Sequence, residues 1–268
     1  MRRNRISPVQ IESVLKVIRL IEEEYGRSLS LKEMADYAFY SPYHFERLFQ
    51  KVSGITPCQF LSALRIEKAK QLLLETDLDI ATISSYVGYS SFSTFSRQFK
   101  EYVGLSPINF RKLSSQTLEY MNLISHYGDG WFDIDHGSPV LRGHISAPID
   151  FRGIIFVALF PEAMPKSAPA ACAILRKPGE YQIKDVPDGN YYIFSIAFKL
   201  SFNPIYYLLP KKALRGTNGE EVTVKNGKVL SGKTDVSLRP PLPSDPPVSV
   251  SIPYLVTNFI AKFKESYR

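Results

Sequence analysis

Two stretches of this chain, fifty residues apart, carry the same pattern, and a repeat of that kind constrains the architecture more than any other feature. Phe45, Arg47, Phe49, Gly54, Pro57 and Phe60 recur as Phe95, Arg97, Phe99, Gly104, Pro107 and Phe110. In each copy a short helical segment leads through a turn into a second helix with an outward Arg. The rest of the chain must accommodate this pair.

Start signals place the helices around the repeat. Ser7-Pro8-Val9-Gln10, Ser30-Leu31-Lys32-Glu33 and Thr56-Pro57-Cys58-Gln59 are capping boxes, in which a hydroxyl accepts from the third amide and the acid or amide reaches back. The first predicts a helix with Ile11, Val14, Leu15, Ile18, Ile21 and Tyr25 at helical spacing, ended by Gly26. The second opens a short helix to about Ala38, with Phe39-Tyr40 as the turn and Ser41-Pro42 opening the next. The third starts a long helix with Phe60, Leu61, Leu64, Ala69, Leu72 and Leu73 inward. Asp79 caps another short helix, Gly88-Tyr89 turns, and Ser90 or Ser91 caps the helix that follows. Ser106-Pro107 opens a last one to roughly Ile124. This half therefore reads as seven helices, two helix-turn-helix units joined by the long fourth one.

The second helix of such a unit presents its N-terminal residues to base edges when it lies in a major groove. In the first copy Phe45, Leu48 and Phe49 face inward by spacing, leaving Tyr43, His44, Glu46, Arg47 and Gln50 outside, after the opening Ser41. In the second, Phe95 and Phe99 face inward, and Phe92, Ser93, Ser96 and Arg97 face out after Ser91. Arg is suited to bidentate contact with guanine, Glu to cytosine N4, and Phe to a thymine methyl. Salt bridges to neighbouring carboxylates are the competing use of Arg47 and Arg97.

These residues resemble the DNA-binding domain of AraC/XylS-type transcriptional regulators over about residues 8–112. The most specific stretch is Ile80-Ala81-Thr82-Ile83, Val87-Gly88-Tyr89 and Phe95-Ser96-Arg97-Gln98-Phe99-Lys100, continuing through Gly104-Leu105-Ser106-Pro107 to Phe110-Arg111. Arg65, Ala69 and Leu72-Leu73 match the family's connecting helix. Ser84 departs from the usual Ala, and Thr94 from the usual aromatic. The order departs too, because many relatives place the effector domain first. The resemblance implies a bacterial, cytoplasmic regulator that binds double-stranded DNA through two adjacent major grooves and has RNA polymerase as a further partner.

From about residue 126 the texture changes. A Gly- and Asp-rich linker is expected over 126–139, dividing a 1–125 DNA-binding unit from a β-rich regulatory unit over 140–268 that folds independently. Strands are expected at 140–149, 153–160, 172–176, 181–186, 191–198, 205–209, 221–224, 228–230 and 234–238, with a closing helix from Tyr254 through Phe263. Turn signals at Lys177-Pro178-Gly179, Pro187-Asp188-Gly189 and Asn226-Gly227 separate them. The fold class is thus all-α followed by a β-rich sandwich or barrel. Gly143-His144-Ile145, Pro178-Gly179-Glu180-Tyr181 and Val186-Pro187-Asp188-Gly189-Asn190-Tyr191-Tyr192 resemble a transthyretin-like or carboxypeptidase-regulatory-like sandwich; another β-rich sensor fold stays open.

Charge does not single out either half. The chain carries +7, and residues 1–113 hold 16 Lys and Arg against 12 Asp and Glu. Cys58 and Cys172 fall in different halves, which fits a reducing compartment without disulfides. No apolar run reaches a membrane span. His126, Asp129, Asp133, Asp135, His136 and His144 lack a ligand spacing, so no metal or other cofactor is expected. No nucleophile motif or nucleotide loop points to an enzyme. Tyr191, Tyr192, Phe194, Phe198, Phe202, Tyr206 and Tyr207 are expected mostly in the core rather than around an effector. Small-molecule or protein effectors of the second half, and a protein-interaction module tethered to DNA, are the functions left open for it.

Overall fold

Residues 6–114, 116–117, 141–148 and 151–255 are described by the computed structural model. The helical half contains α1 (Pro8–Glu24), α2 (Leu31–Tyr37), α3 (Pro42–Ser53), α4 (Pro57–Glu75), α5 (Ile80–Tyr86), α6 (Phe92–Val103) and α7 (Pro107–Ser114). All three expected capping boxes form, at Ser7, Ser30 and Thr56, each with its reciprocal pair of hydrogen bonds. The rest of the last expected helix, the 126–139 linker and most of the closing helix lie outside the described residues, as do five of the six His and Asp weighed as metal ligands; His144 is exposed on β1.

One apolar cluster unites both helix-turn-helix units. Phe45 packs edge-on to Phe49 and Phe49 to Phe60; Phe95, Phe99 and Phe110 repeat the series with centroids 5.7 Å apart at each step. All six rings are buried. Helix α4 runs between the units and touches α2, α3, α5, α6 and α7. It is buried on most of its circumference, which is the behaviour of a central helix.

The β-rich half has β1 (Leu141–Ser146), β2 (Ile154–Phe160), β3 (Ala171–Leu175), β4 (Gly179–Ile183), β5 (Gly189–Phe198), β6 (Leu214–Lys225), β7 (Lys228–Ser231) and β8 (Val236–Ser237), with a short helix α8 (Ile205–Leu208). They form a three-stranded sheet, β4-β1-β8, and a five-stranded sheet, β3-β2-β5-β6-β7. Pairing is antiparallel except between β1 and β8. Leu141, Ile145 and Ile183 of one sheet pack with Val157, Ile193 and Val222 of the other. The opposite face of the larger sheet carries Ile154, Phe156 and Phe198, covered by Tyr207 of α8 and by Val250 and Ile252. Strand β2 is therefore buried on both faces, which is why it reads as a continuous apolar run.

Two expectations fail here. Of the strand expected at 205–209, residues 205–208 are helical, not extended: Pro204 precedes the helix and the Asn203 side chain accepts from the Ile205 amide. Strand β6 starts at Leu214, well before residue 221. A register irregularity opposite Tyr192 to Phe194 admits its polar Asn218-Gly219 stretch, and the Asn218 side chain accepts from the Ile193 amide. Among the aromatics, Tyr191, Phe198 and Tyr207 are buried as expected, but Phe202 is 91% exposed.

Candidate nucleic-acid interface

Helices α3 and α6 have the same length and the same C-terminal stop, Gly54 and Gly104 at φ 85° and 91°. Each buries its aromatic stripe and leaves the opposite side free. On α3, Tyr43, His44, Arg47 and Gln50 are exposed and Glu46 is half-buried. Ser41 caps α3 by position, but its hydroxyl makes no cap hydrogen bond. On α6, Phe92, Ser93 and Arg97 are exposed and Ser96 is half-buried. Ser91, not Ser90, is the cap; its hydroxyl accepts from the Thr94 amide at 3.2 Å and bonds the Ser93 hydroxyl. Capping thus occupies part of the hydrogen-bonding capacity of Ser91.

Among the described residues neither Arg47 nor Arg97 forms an ion pair. Arg47 instead lies over the Tyr43 ring, 5.5 Å from its centroid, with a 3.4 Å hydrogen bond to the Tyr43 hydroxyl. His44 stacks on Tyr40 with ring centroids 5.1 Å apart. The first unit therefore presents an ordered aromatic and cationic surface. The second presents two hydroxyls, a ring and an unstacked guanidinium.

The repeat also contains a one-residue slip. The amide of Tyr40 donates to the Ala35 carbonyl, and that of Tyr89 to the Ser84 carbonyl. The left-handed residue just before each is Phe39, at φ 61°, or Gly88, at φ 87°. The turns therefore correspond at forty-nine residues, whereas the helices that follow correspond at fifty. Ser90 is the extra residue, lying between the second turn and its cap. At Gly88 a side chain has no room, since a Cβ would stand 2.8 Å from the Gly26 carbonyl oxygen and 2.9 Å from that of Tyr25. Phe39 takes the same conformation while projecting into solvent, 96% exposed.

Two arginines in the resemblance are fasteners, a role their sequence spacing did not disclose. Arg65 donates to the carbonyls of Tyr25 and Arg27, both at 2.8 Å, and lies over the Tyr89 ring. It ties the end of α1 to the second turn. Arg111 donates to the carbonyls of Leu73 and Leu78 and so braces the path from α4 to α5. Burial lowers the Arg65 pKa and raises that of the Tyr89 hydroxyl, which also donates to Gln98 at 2.7 Å. Asp79 caps α5, and the Thr82 amide and hydroxyl hold its carboxyl below the ordinary value. Sequence reasoning missed Lys70 as well: it is fully buried, and its ammonium donates to the carbonyls of Val248 and Ser249.

Residues 34–113 match a family model described as a helix-turn-helix domain. The chain is 32% identical over 104 residues to the bifunctional transcriptional activator/DNA repair enzyme AdaA of Bacillus subtilis, across 39% of this chain and 49% of that protein. It is 34% identical over 103 residues to the melibiose operon regulatory protein of Escherichia coli K12, across 38% of this chain and 34% of the relative. A solved transcriptional regulator from Chromobacterium violaceum, described as containing an AraC-type DNA-binding domain, matches at 28% identity and a TM-score of 0.37, over 38% of this chain and 91% of that one. The matched stretch spans half or less of the two curated relatives' own length. Residues 34–113 of this chain are a helix-turn-helix domain of the AraC/XylS type.

Proposed function

We propose that the chain is a sequence-specific DNA-binding transcriptional regulator, with α3 and α6 each reading one major-groove segment. The observation that carries this reading is the pair Arg47 and Arg97. They sit at the same point of two equal helices, point outward, and make no ion pair among the described residues. A guanidinium placed so can reach guanine O6 and N7 together. The free amides at the starts of both helices suit phosphate contacts. The relatives are named as regulators of transcription, and the match to AdaA, whose name includes a repair activity, reaches only the helical half of this chain.

Within this reading the side chains in contact with DNA are Tyr43, His44, Glu46, Arg47 and Gln50 from α3, and Phe92, Ser93, Ser96 and Arg97 from α6, with Ser41 and Ser91 at the helix starts. The chain acts without enzyme chemistry of its own, in the cytoplasm, and works with RNA polymerase. The β-rich half modulates binding through an effector, in a division near residues 125 and 140. The test is selection of bound sequences from a random duplex pool by the full chain. Two enriched segments separated by about one helical turn are expected, and a pool that stays random would end the proposal.

A second reading, a protein-interaction module tethered to DNA, has one observation in its favour. Leu200 and Phe202, 55% and 91% exposed, leave two apolar side chains in solvent on the β5–α8 connection. Co-purification of a protein partner that is lost in Phe202→Ser would favour it.

A further inference from the structure

The far end of the second reading helix is gripped by the β-rich half. The last carbonyls of an α-helix have no partner within the helix. In α6 those of Tyr102 and Val103 accept from the amides of Ser167, at 3.3 Å, and Ser251, at 3.2 Å. Ser167 takes a left-handed conformation, φ 54°, which a non-glycine residue holds only where its surroundings impose it. The residues before it dock as well. Met164 is buried in the helical core cluster. Lys166 lies 3.1 Å from the Glu101 carboxylate and 5.0 Å from the centroid of the Tyr102 ring. Tyr254 lies so close to Gly104 that a Cβ there would fall 2.7 Å from its ring.

The internal repeat provides the control. Gly54 ends α3 as Gly104 ends α6, with nearly the same φ, yet a Cβ at Gly54 would meet nothing within 4 Å. Of two copies of one motif, the β-rich half holds the second. Helix α6 is twelve residues long, about 18 Å, with Arg97 near its middle and the grip at its end. A stiff rod fixed at one end transmits small rotations to every side chain along it.

We propose that Ser167, Ser251, Tyr254 and Lys166 are positioning residues for the second reading helix, through which the β-rich half sets recognition of one DNA segment and leaves the other to the helical core. This rests on the reading of α3 and α6 as the DNA-reading helices. An effector of the β-rich half would then alter selectivity in the α6 segment, by its differential affinity for the gripped and released arrangements.

The experiment uses the full chain and the duplex it selects. Arg47→Ala and Arg97→Ala first assign each enriched segment to its helix, by the positions at which each relaxes base preference. Tyr254→Ala and Lys166→Ala are then titrated against duplexes substituted at single base pairs in either segment, with helicity checked by circular dichroism. A good bidentate contact gives discrimination of roughly five- to 150-fold. In the α6 segment the variants are expected to lower discrimination by about fivefold or more, and in the α3 segment by less than about twofold. Equal losses in both segments, or no loss in either, at parental helicity would overturn the proposal. Lys166→Ala gives the reading if Tyr254→Ala does not fold. A parent chain that selects no sequence at all would instead remove the DNA-reading assignment beneath it, so the two failures are distinct.

Discussion

Arg47 and Arg97 share a place in the repeat but not an environment. The Arg47 guanidinium lies over the Tyr43 ring, whereas Arg97 has Ser93 one turn before it and, among the described residues, no ring contact of that kind. A cation–π contact at an exposed site is worth about 0.5–1 kcal/mol, too little to keep Arg47 from a guanine. Arg47→Ala and Arg97→Ala are each expected to weaken specific binding by roughly 1–3 kcal/mol, with loss of preference at one base pair. Titration against specific and random duplexes measures this, and unchanged affinity for the specific site would remove that Arg from the interface. Phe39 raises a different question at this scale. Its left-handed backbone costs about 1–2 kcal/mol, and its 96% exposed ring gains little packing in return. Glycine would relieve the strain but lose about 0.5–1 kcal/mol to greater freedom of the unfolded chain. Phe39→Gly is therefore expected to stabilise the protein by roughly 0.5–1 kcal/mol, read as a rise in Tm. A lower Tm would mean that the ring has a structural role.

At the scale of elements, the helices were legible because their punctuation is chemical. Ser7, Ser30 and Thr56 with their partners three residues on, Asp79, and the glycines at 54 and 104 state starts and stops directly. The one-residue slip was not legible, because Phe39 replaces the glycine that marks the second turn and only the backbone hydrogen bonds disclose the correspondence. Helix α8 was misread for the converse reason. Ile205-Tyr206-Tyr207-Leu208 has the composition of a strand, and a single turn has no room to show a helical period. The outward faces of α3 and α6 were readable from the spacing of Phe45, Phe49, Phe95 and Phe99, but the fastening roles of Arg65 and Arg111 depend on contacts 33 to 40 residues away. Helix α4 sets the geometry between the units. Its 19 residues span about 28 Å, and α3 and α6 both pack on it. One molecule is expected to protect two major-groove segments about 34 Å apart on one face of the duplex. Footprinting that returns one short protected segment per molecule would contradict that geometry.

At the scale of the whole molecule, the change from helical to strand periodicity suggests two separate bodies, yet buried groups cross between them. Met164 and Leu208 of the β-rich half belong to the helical core cluster, and Lys70 of α4 is sealed under Val248 and Ser249. Nothing in the sequence marks this, since a lysine in a helix ordinarily reads as a solvated position. Lys70 is fully buried, with the Phe110 ring of α7 at 5.6 Å and Glu67, one turn back on α4, as the carboxylate acting on it. Burial penalises the ammonium and outweighs Glu67, lowering the pKa from 10.5 to about 8. When the halves part, Lys70 meets water and regains its ordinary value, so the separated state binds more protons between pH 8 and 10.5. Stability of the joined state therefore rises with pH through that window, by on the order of 3 kcal/mol in total. Below pH 8 the penalty is present in full; above 10.5 both states hold a neutral amine and it is gone. Lys70→Met removes the titration but also leaves the Val248 and Ser249 carbonyls without their donor, so the offset between variant and parent is not the informative quantity. The slope is. The Tm of the variant minus that of the parent is expected to fall steadily from pH 8 to pH 10 in calorimetric scans. A difference that stays constant over that range would mean that Lys70 reaches water in the joined molecule and that the two halves do not seal it.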